Sequence, residues 1–211
     1  MNPPPPLTAF MSFSSAYRDQ MIRAAQTVDA GLVDAAIDEF RKARDEDRQI
    51  FVFGNGGSAS TASHFVTDIV KSASHAAPKR FRIMALTDSN STITAYANDL
   101  HFEYVFVEQL KNFARPGDLV VAISGSGNSR NVVRALEYAT AFGCRRIALT
   151  GRDGGKTGLL ADIHVNVSEP HMGRIEDCHM MICHMIAYAF VDVVPATADG
   201  QHASAQTGAS R

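Results

Sequence analysis

From residue 50 onward the chain alternates short apolar runs with longer stretches of helical period. The runs are 50–53, 82–86, 119–123, 146–149 and 163–167, each too short for a helix and rich in Val, Ile, Leu and Phe. Between them the spacing of apolar positions predicts helices over 58–72, 91–98, 102–113, 129–142 and 156–161, with a last one over 173–193. Apolar strands alternating with helices call for a parallel sheet covered on both faces. Ligands of such sheets bind beyond the carboxyl ends of the strands. Upstream, residues 12–48 read as helical, with Met21, Ala24, Ala25 and Val28 on one face and Leu32, Ala35, Ile37 and Phe40 following. Gly31 is expected to split this stretch into two helices.

The ends read differently. Residues 1–10 hold four consecutive prolines and are expected to form a flexible arm. Residues 196–211 are mostly small and polar without apolar periodicity, and are expected to be disordered. That leaves 11–195 as one domain, a size that buries a sizeable core when 45% of the 211 residues are hydrophobic. Twenty Lys and Arg against 22 Asp and Glu leave a net charge of −2, which gives no electrostatic case for nucleic acid. No apolar run approaches the roughly 20 residues that span a bilayer, and the first residues lack a charged segment followed by an apolar one. A soluble, cytoplasmic protein without a membrane partner is expected. Cys144, Cys178 and Cys183, odd in number and without C-x-x-C spacing, read as reduced, buried thiols.

Candidate chemistry begins where the strands end. The run 50–53 leads into Gly54-Asn55-Gly56-Gly57-Ser58, and the run 119–123 leads into Ser124-Gly125-Ser126-Gly127-Asn128-Ser129. Glycines there let backbone N–H groups approach an anion closely, and the serines add hydroxyl donors. The first turn lacks the Lys of a P-loop, and no acidic residue stands where a dinucleotide fingerprint wants one. Several small donors converging on one dianion favour a sugar phosphate over a nucleotide.

His64 and Asp68, four apart, share one helix face; that spacing suits a metal site, an acid/base pair or a plain solvated face. In the last helix His184 is unusual among apolar neighbours, either as a ligand or as a buried neutral imidazole. Glu176 lies two turns before it, about 80° round the helix, while His179 competes as a partner of Glu176 at i+3. Asn98-Asp99 interrupts an amphipathic pattern. Thr150 to Lys156 is either a tight connecting loop or a further ligand segment.

Taken as an ordered set, Gly54 to Ser58, His64, Asn98-Asp99, Ser124 to Ser129, Leu149-Thr150-Gly151 with Asp153-Gly154-Gly155-Lys156, and Arg174-Ile175-Glu176 with His184 resemble the sedoheptulose 7-phosphate (phosphoheptose) isomerases of the SIS domain superfamily. The resemblance runs over about residues 20–193. It implies a three-layer αβα sandwich on a five-stranded parallel sheet, flavodoxin-like, with extra N-terminal helices and a homotetramer with shared active sites. It also implies an aldose–ketose isomerase that makes D-glycero-D-manno-heptose 7-phosphate through an enediol, the first step of nucleotide-activated heptose biosynthesis.

Carried over by position, the resemblance has Asn55, Gly56, Gly57, Ser58, Ser124, Gly125, Ser126 and Ser129 binding chiefly the phosphate, with Asn98, Asp99, Asp68 and Glu176 on the sugar. It has His64, Asp68, Glu176 and His184 holding one Zn2+, and Asp68 with His184 as the acid/base pair. The chain departs from the family pattern in having Asp68 for Glu, Glu176 for Gln, Gly125 for Thr and Gly173 for Asp. Two other readings keep the same turns: a non-enzymatic sugar-phosphate sensor or adaptor of the replication-initiator-associating type, and an isomerase of a different ketose phosphate.

Overall fold

The structure, a computed structural model, describes residues 7–75 and 77–192. The five apolar runs are strands: β1 (Gln49–Gly54), β2 (Arg82–Ala85), β3 (Leu119–Ser124), β4 (Arg145–Gly151) and β5 (Ile163–Val167). They form one parallel sheet in the order β2-β1-β3-β4-β5. Gly54 lies opposite Ile123, and Ser124 opposite Thr150, so the carboxyl ends of β1, β3 and β4 stand level.

Around the sheet lie α1 (Leu7–Ala25), α2 (Ala30–Asp45), α3 (Gly57–Thr67), α4 (Asn90–Asp99), α5 (Val107–Phe113), α6 (Arg130–Phe142), α7 (Gly155–Leu159) and α8 (Met172–Tyr188). Successive side chains of a strand point to opposite faces. Ile50 and Val52 of β1 accordingly join Phe40 of α2, Phe65 of α3 and Ile182 of α8 on one face. Phe51 and Phe53 join Phe106, Leu110 of α5 and Leu136 of α6 on the other. Both faces are buried, which is the three-layer αβα arrangement the strand–helix alternation calls for.

Several boundaries differ from expectation for local reasons. Helix α1 starts at Leu7, so the last four positions of the expected flexible arm are helical; the final proline is Pro6, and no ring blocks the helix beyond it. The first six residues of that arm and the expected disordered tail lie outside the described residues. The break in the N-terminal helical stretch precedes Gly31: Asp29 caps α2, its Oδ1 accepting from Gly31 N at 2.8 Å and Leu32 N at 3.2 Å. The segment 58–72 is α-helical only to Thr67 and continues as a π-helical turn, Asp68–Ala73. The segment 102–113 is a 3-10 turn, Phe102–Tyr104, followed by α5. All three cysteines are buried thiols.

One buried polar group ties α8 to the sheet. His179 is fully buried, and its Nε2 donates to the carbonyl oxygen of Thr150 on β4 at 3.0 Å. Burial pushes its pKa down from 6.5 to about 4, with the bond to Thr150 opposing only part of the shift. Burial also lowers the pKa of His164 on β5. An imidazole kept neutral by the fold takes up its proton first in the unfolded chain. The stability it supports is therefore full above the unfolded value and declines as pH falls from 6.5 towards about 4. Denaturant titrations should show stability dropping across that window by a His179 contribution on the order of 3 kcal/mol. His179→Asn should flatten the slope; an unchanged slope would rule His179 out as its source.

Candidate active site at the carboxyl edge of the sheet

Strands β1 and β3 are neighbours, yet α3 packs on one face of the sheet and α6 on the other, which opens a crevice between the two turns. Gly56 precedes α3 and Ser129 precedes α6, and neither makes a side-chain cap. Helices α2 and α4, by contrast, are capped by Asp29 and Ser89. Uncapped N–H groups and the positive ends of two helix dipoles thus face the crevice, a setting for an anion.

The cavity there has a volume of about 270 Å³ and is lined by Asn55, Gly56, Gly57, Ser58, Ser124, Gly125, Ser126 and Ser129, together with Ile123, Met172 and Glu176. The Ser124 hydroxyl is buried with no hydrogen-bond partner, a donor without its acceptor. Gly56 has φ of 56°, a backbone that favours glycine, and a Cβ on Gly57 would stand 2.5 Å from Glu176 Oε1, so a side chain there would push that carboxylate aside.

The second turn is propped from behind. Thr157 N donates to Gly127 O at 2.8 Å and Lys156 N to Asn128 Oδ1 at 3.2 Å. Thr150 Oγ1 in turn donates to Asn166 Oδ1 at 2.8 Å and lies 2.6 Å from His164 Nε2. The segment Thr150 to Lys156 is thus a connecting loop that supports the serine turn. Arg174 of the last motif reaches Glu169 at 2.7 Å, and its guanidinium holds that carboxyl below the ordinary range at the start of α8.

Further along α3, the helix meets α8. His64 Nε2 lies 3.4 Å from Asp68 Oδ2, His184 Nε2 lies 3.5 Å from the same oxygen, and the two imidazole nitrogens are 3.5 Å apart. Asp68 opens the π-helical turn, a feature that recurs at functional sites. Its Oδ2 is buried without a hydrogen-bond partner. These separations are long for hydrogen bonds. They match a shared ion, because a tetrahedral cation with bonds of about 2.1 Å spaces its ligand atoms about 3.4 Å apart. Among the described residues these three form a group able to hold a metal.

The structure thus brings together the two glycine-serine turns and three of the four expected metal ligands. It does not bring Glu176 into the metal group: that carboxylate lies against Gly57 in the anion cradle, about two turns of α8 away from His184. Nor does it bring Asn98 and Asp99 to the cradle; they are exposed at the end of α4, Asn98 Nδ2 donating to Asp99 Oδ1 at 2.8 Å. His179 faces β4 and does not pair with Glu176. His184 is not buried on its apolar helix but 43% exposed beside His64. Two contributors escaped the sequence reading. Met172 closes the cradle wall, and Asn131, a polar residue in the buried first turn of α6, bonds to Asn55. An Asn at a position that an amphipathic helix reserves for apolar residues was the available signal for the latter.

Residues 14–151 match the SIS domain family. The chain is 38% identical over 178 residues to the probable phosphoheptose isomerase of Thermoplasma acidophilum, an alignment covering 83% of this chain and 96% of that one. Its structure is similar to phosphoheptose isomerase GmhA from Neisseria gonorrhoeae, with TM-score 0.80 and 33% identity, covering 87% of this chain and all of that one. It is also similar to a phosphoheptose isomerase from Francisella tularensis, with TM-score 0.78 and 26% identity over 86% and 97% of the two chains.

Glu176 places a carboxylate in a cavity otherwise lined by hydroxyl, amide and backbone N–H donors. Glu176→Gln should lower the dissociation constant for inorganic phosphate, measured by calorimetry, about threefold to tenfold. Weaker binding in this variant would show that the carboxylate does not oppose the anion.

Proposed function

The chain belongs to the SIS domain family and to the phosphoheptose isomerases within it, and from that premise we infer that it converts sedoheptulose 7-phosphate to D-glycero-D-manno-heptose 7-phosphate. It is an aldose–ketose isomerase. In our reading Asn55, Gly56, Gly57, Ser58, Ser124, Gly125, Ser126 and Ser129 hold the phosphate, and His64, Asp68 and His184 meet the other end of the sugar. The observation that carries this reading is the distance between the two. His64 stands seven residues beyond Gly57 on α3, about 10 Å along its axis, a span that a long sugar chain bridges and a triose phosphate does not.

Ketose-to-aldose conversion removes a proton from C1, forms an enediol, and returns a proton to C2, with a matching exchange between the two oxygens. Asp68 is the proposed base. Its Oδ2 is turned to the imidazoles, and the side chain is mostly shielded from water, at 15% exposure. His184, beside it, serves the proton at the neighbouring oxygen. His64, Asp68 and His184 would also hold Zn2+, a donor set of two imidazoles and one carboxylate that suits that ion. When bound, zinc would polarise the sugar carbonyl and stabilise the enediolate.

A homotetramer with shared active sites fits two further observations. Asn98 and Asp99 stand outside the cradle of their own chain, and apolar Met185 and Tyr188 are exposed next to His184. No described helix is long and apolar enough to cross a membrane, consistent with a cytoplasmic role in heptose biosynthesis.

Purified protein with added zinc should convert sedoheptulose 7-phosphate in preference to five- and six-carbon ketose phosphates. Asp68→Asn and His184→Ala should each lower kcat/KM by about 10²-fold or more. His64→Ala with His184→Ala should also lose bound zinc in elemental analysis. Full turnover in Asp68→Asn, or undiminished zinc in the double variant, would sink the corresponding assignment.

A further inference from the structure

Asn131 is the second residue of α6 and only 2% exposed, a polar side chain at the sheet-facing start of the helix. Its amide pairs reciprocally with that of Asn55 across the crevice. Asn55 Nδ2 donates to Asn131 Oδ1 at 2.9 Å, and Asn131 Nδ2 donates to Asn55 Oδ1 at 2.9 Å. The two amides could be turned over together without changing the shape or the bonding of such a pair. One further bond removes that freedom: the backbone N–H of Val132 donates to Asn131 Oδ1 at 3.0 Å.

A backbone N–H can only donate, so the oxygen of Asn131 must face Val132 and its nitrogen must face the Asn55 oxygen. Asn55 is then obliged to turn its own nitrogen towards Asn131 Oδ1. An amide nitrogen carries two N–H groups. Asn131 takes one, and the other remains on a side chain that lines the anion cradle.

We propose that Asn131 is a positioning residue for the phosphate: through Asn55 it fixes which end of an amide the anion meets. The proposal rests on reading the cradle as a phosphate site. Without Asn131, Asn55 would present its carbonyl oxygen to the anion for part of the time, and that orientation is repulsive. The same pair ties the turn after β1 to the first turn of α6, so it holds the two halves of the cradle at one spacing. The polarity of the side-chain contact is thus set from outside the cradle, by the main chain of α6.

The test is a double-mutant cycle on full-length protein, with calorimetry of inorganic phosphate as the first readout. Asn55→Ala should raise the dissociation constant about tenfold, the loss of one charge-assisted hydrogen bond, and Asn131→Ala about twofold to fivefold, since Asn55 then offers its nitrogen for only part of the time. The double variant should bind no more weakly than Asn55→Ala alone, because Asn131 acts only through Asn55. KM for sedoheptulose 7-phosphate should rise in parallel while kcat stays within about threefold, since the contact is to a part of the substrate that does not react. Should Asn131→Ala fail to fold, Asn131→Ser takes its place in the cycle: its hydroxyl keeps an acceptor near Val132 but is too short to reach Asn55.

Unchanged phosphate affinity in the Asn131 variant, or losses that multiply in the double variant, would overturn the proposal, as a purely structural role predicts. A wild-type chain that binds phosphate but does not isomerise the heptose phosphate would overturn the isomerase reading and leave this one standing. A wild-type chain that binds no phosphate would overturn both.

Discussion

A parallel sheet must have both faces covered, and its crossover connections turn with one hand. In this chain the connection after β1 runs to β2 on one side and the connection after β3 runs to β4 on the other. With a fixed hand, opposite directions put α3 and α6 on opposite faces. The two turns that lead into them must then diverge, and a gap opens at their junction. The cradle is that gap. Its donors are largely those left over where two helices begin and the residue before each does not bond back through its side chain.

The second half of the site follows from the same coverage. The face that receives α3 must be closed by further helices, and α8 returns to pack beside it, burying Cys178, Ile182, Cys183 and Ile186 against the sheet. Once those positions face inward, His184 has to face sideways, towards His64 and Asp68 on α3. The His64–Asp68–His184 group is therefore a seam between two helices that are held together by apolar burial elsewhere. Its polar atoms converge at long separations because neighbouring packing, rather than their mutual attraction, sets their positions.

Charge is the tension in this arrangement. Asp68 and Glu176 put two carboxylates along one cleft, Glu176 in the cradle between the two helix N-termini and Asp68 beyond it where α3 meets α8. Asp68 is matched by two imidazoles and the ion they would share, whereas Glu176 sits in the cradle itself against Gly57. Asn131 and Asn55 act in the other direction in the proposed role, since their bonding pattern, fixed by Val132 N–H, leaves one N–H of Asn55 unused by Asn131.

Much of this was legible in the residue order. Strands, helices and the two glycine-serine turns rest on local periodicity and backbone freedom, and the sheet-on-both-faces architecture follows from strands that are apolar throughout. His64 and Asp68 are four apart on one helix, so their shared face needed no tertiary information. Spacing could not say whether His184 or His179 is the partner of Glu176, because that depends on which side of α8 is pressed to the sheet; in the fold Glu176 pairs with neither, since His179 is buried against Thr150 and Glu176 lies against Gly57. The place of the N-terminal break depended on a cap at Asp29 rather than on the flexibility of Gly31. The role of Asn131 was out of reach for a related reason, since its partner lies 76 residues away in sequence. Sequence determined the elements and the chemistry each could offer, because those are properties of short segments. Only the fold decided which of those groups meet, because contacts between distant segments are selected by the burial of both sheet faces.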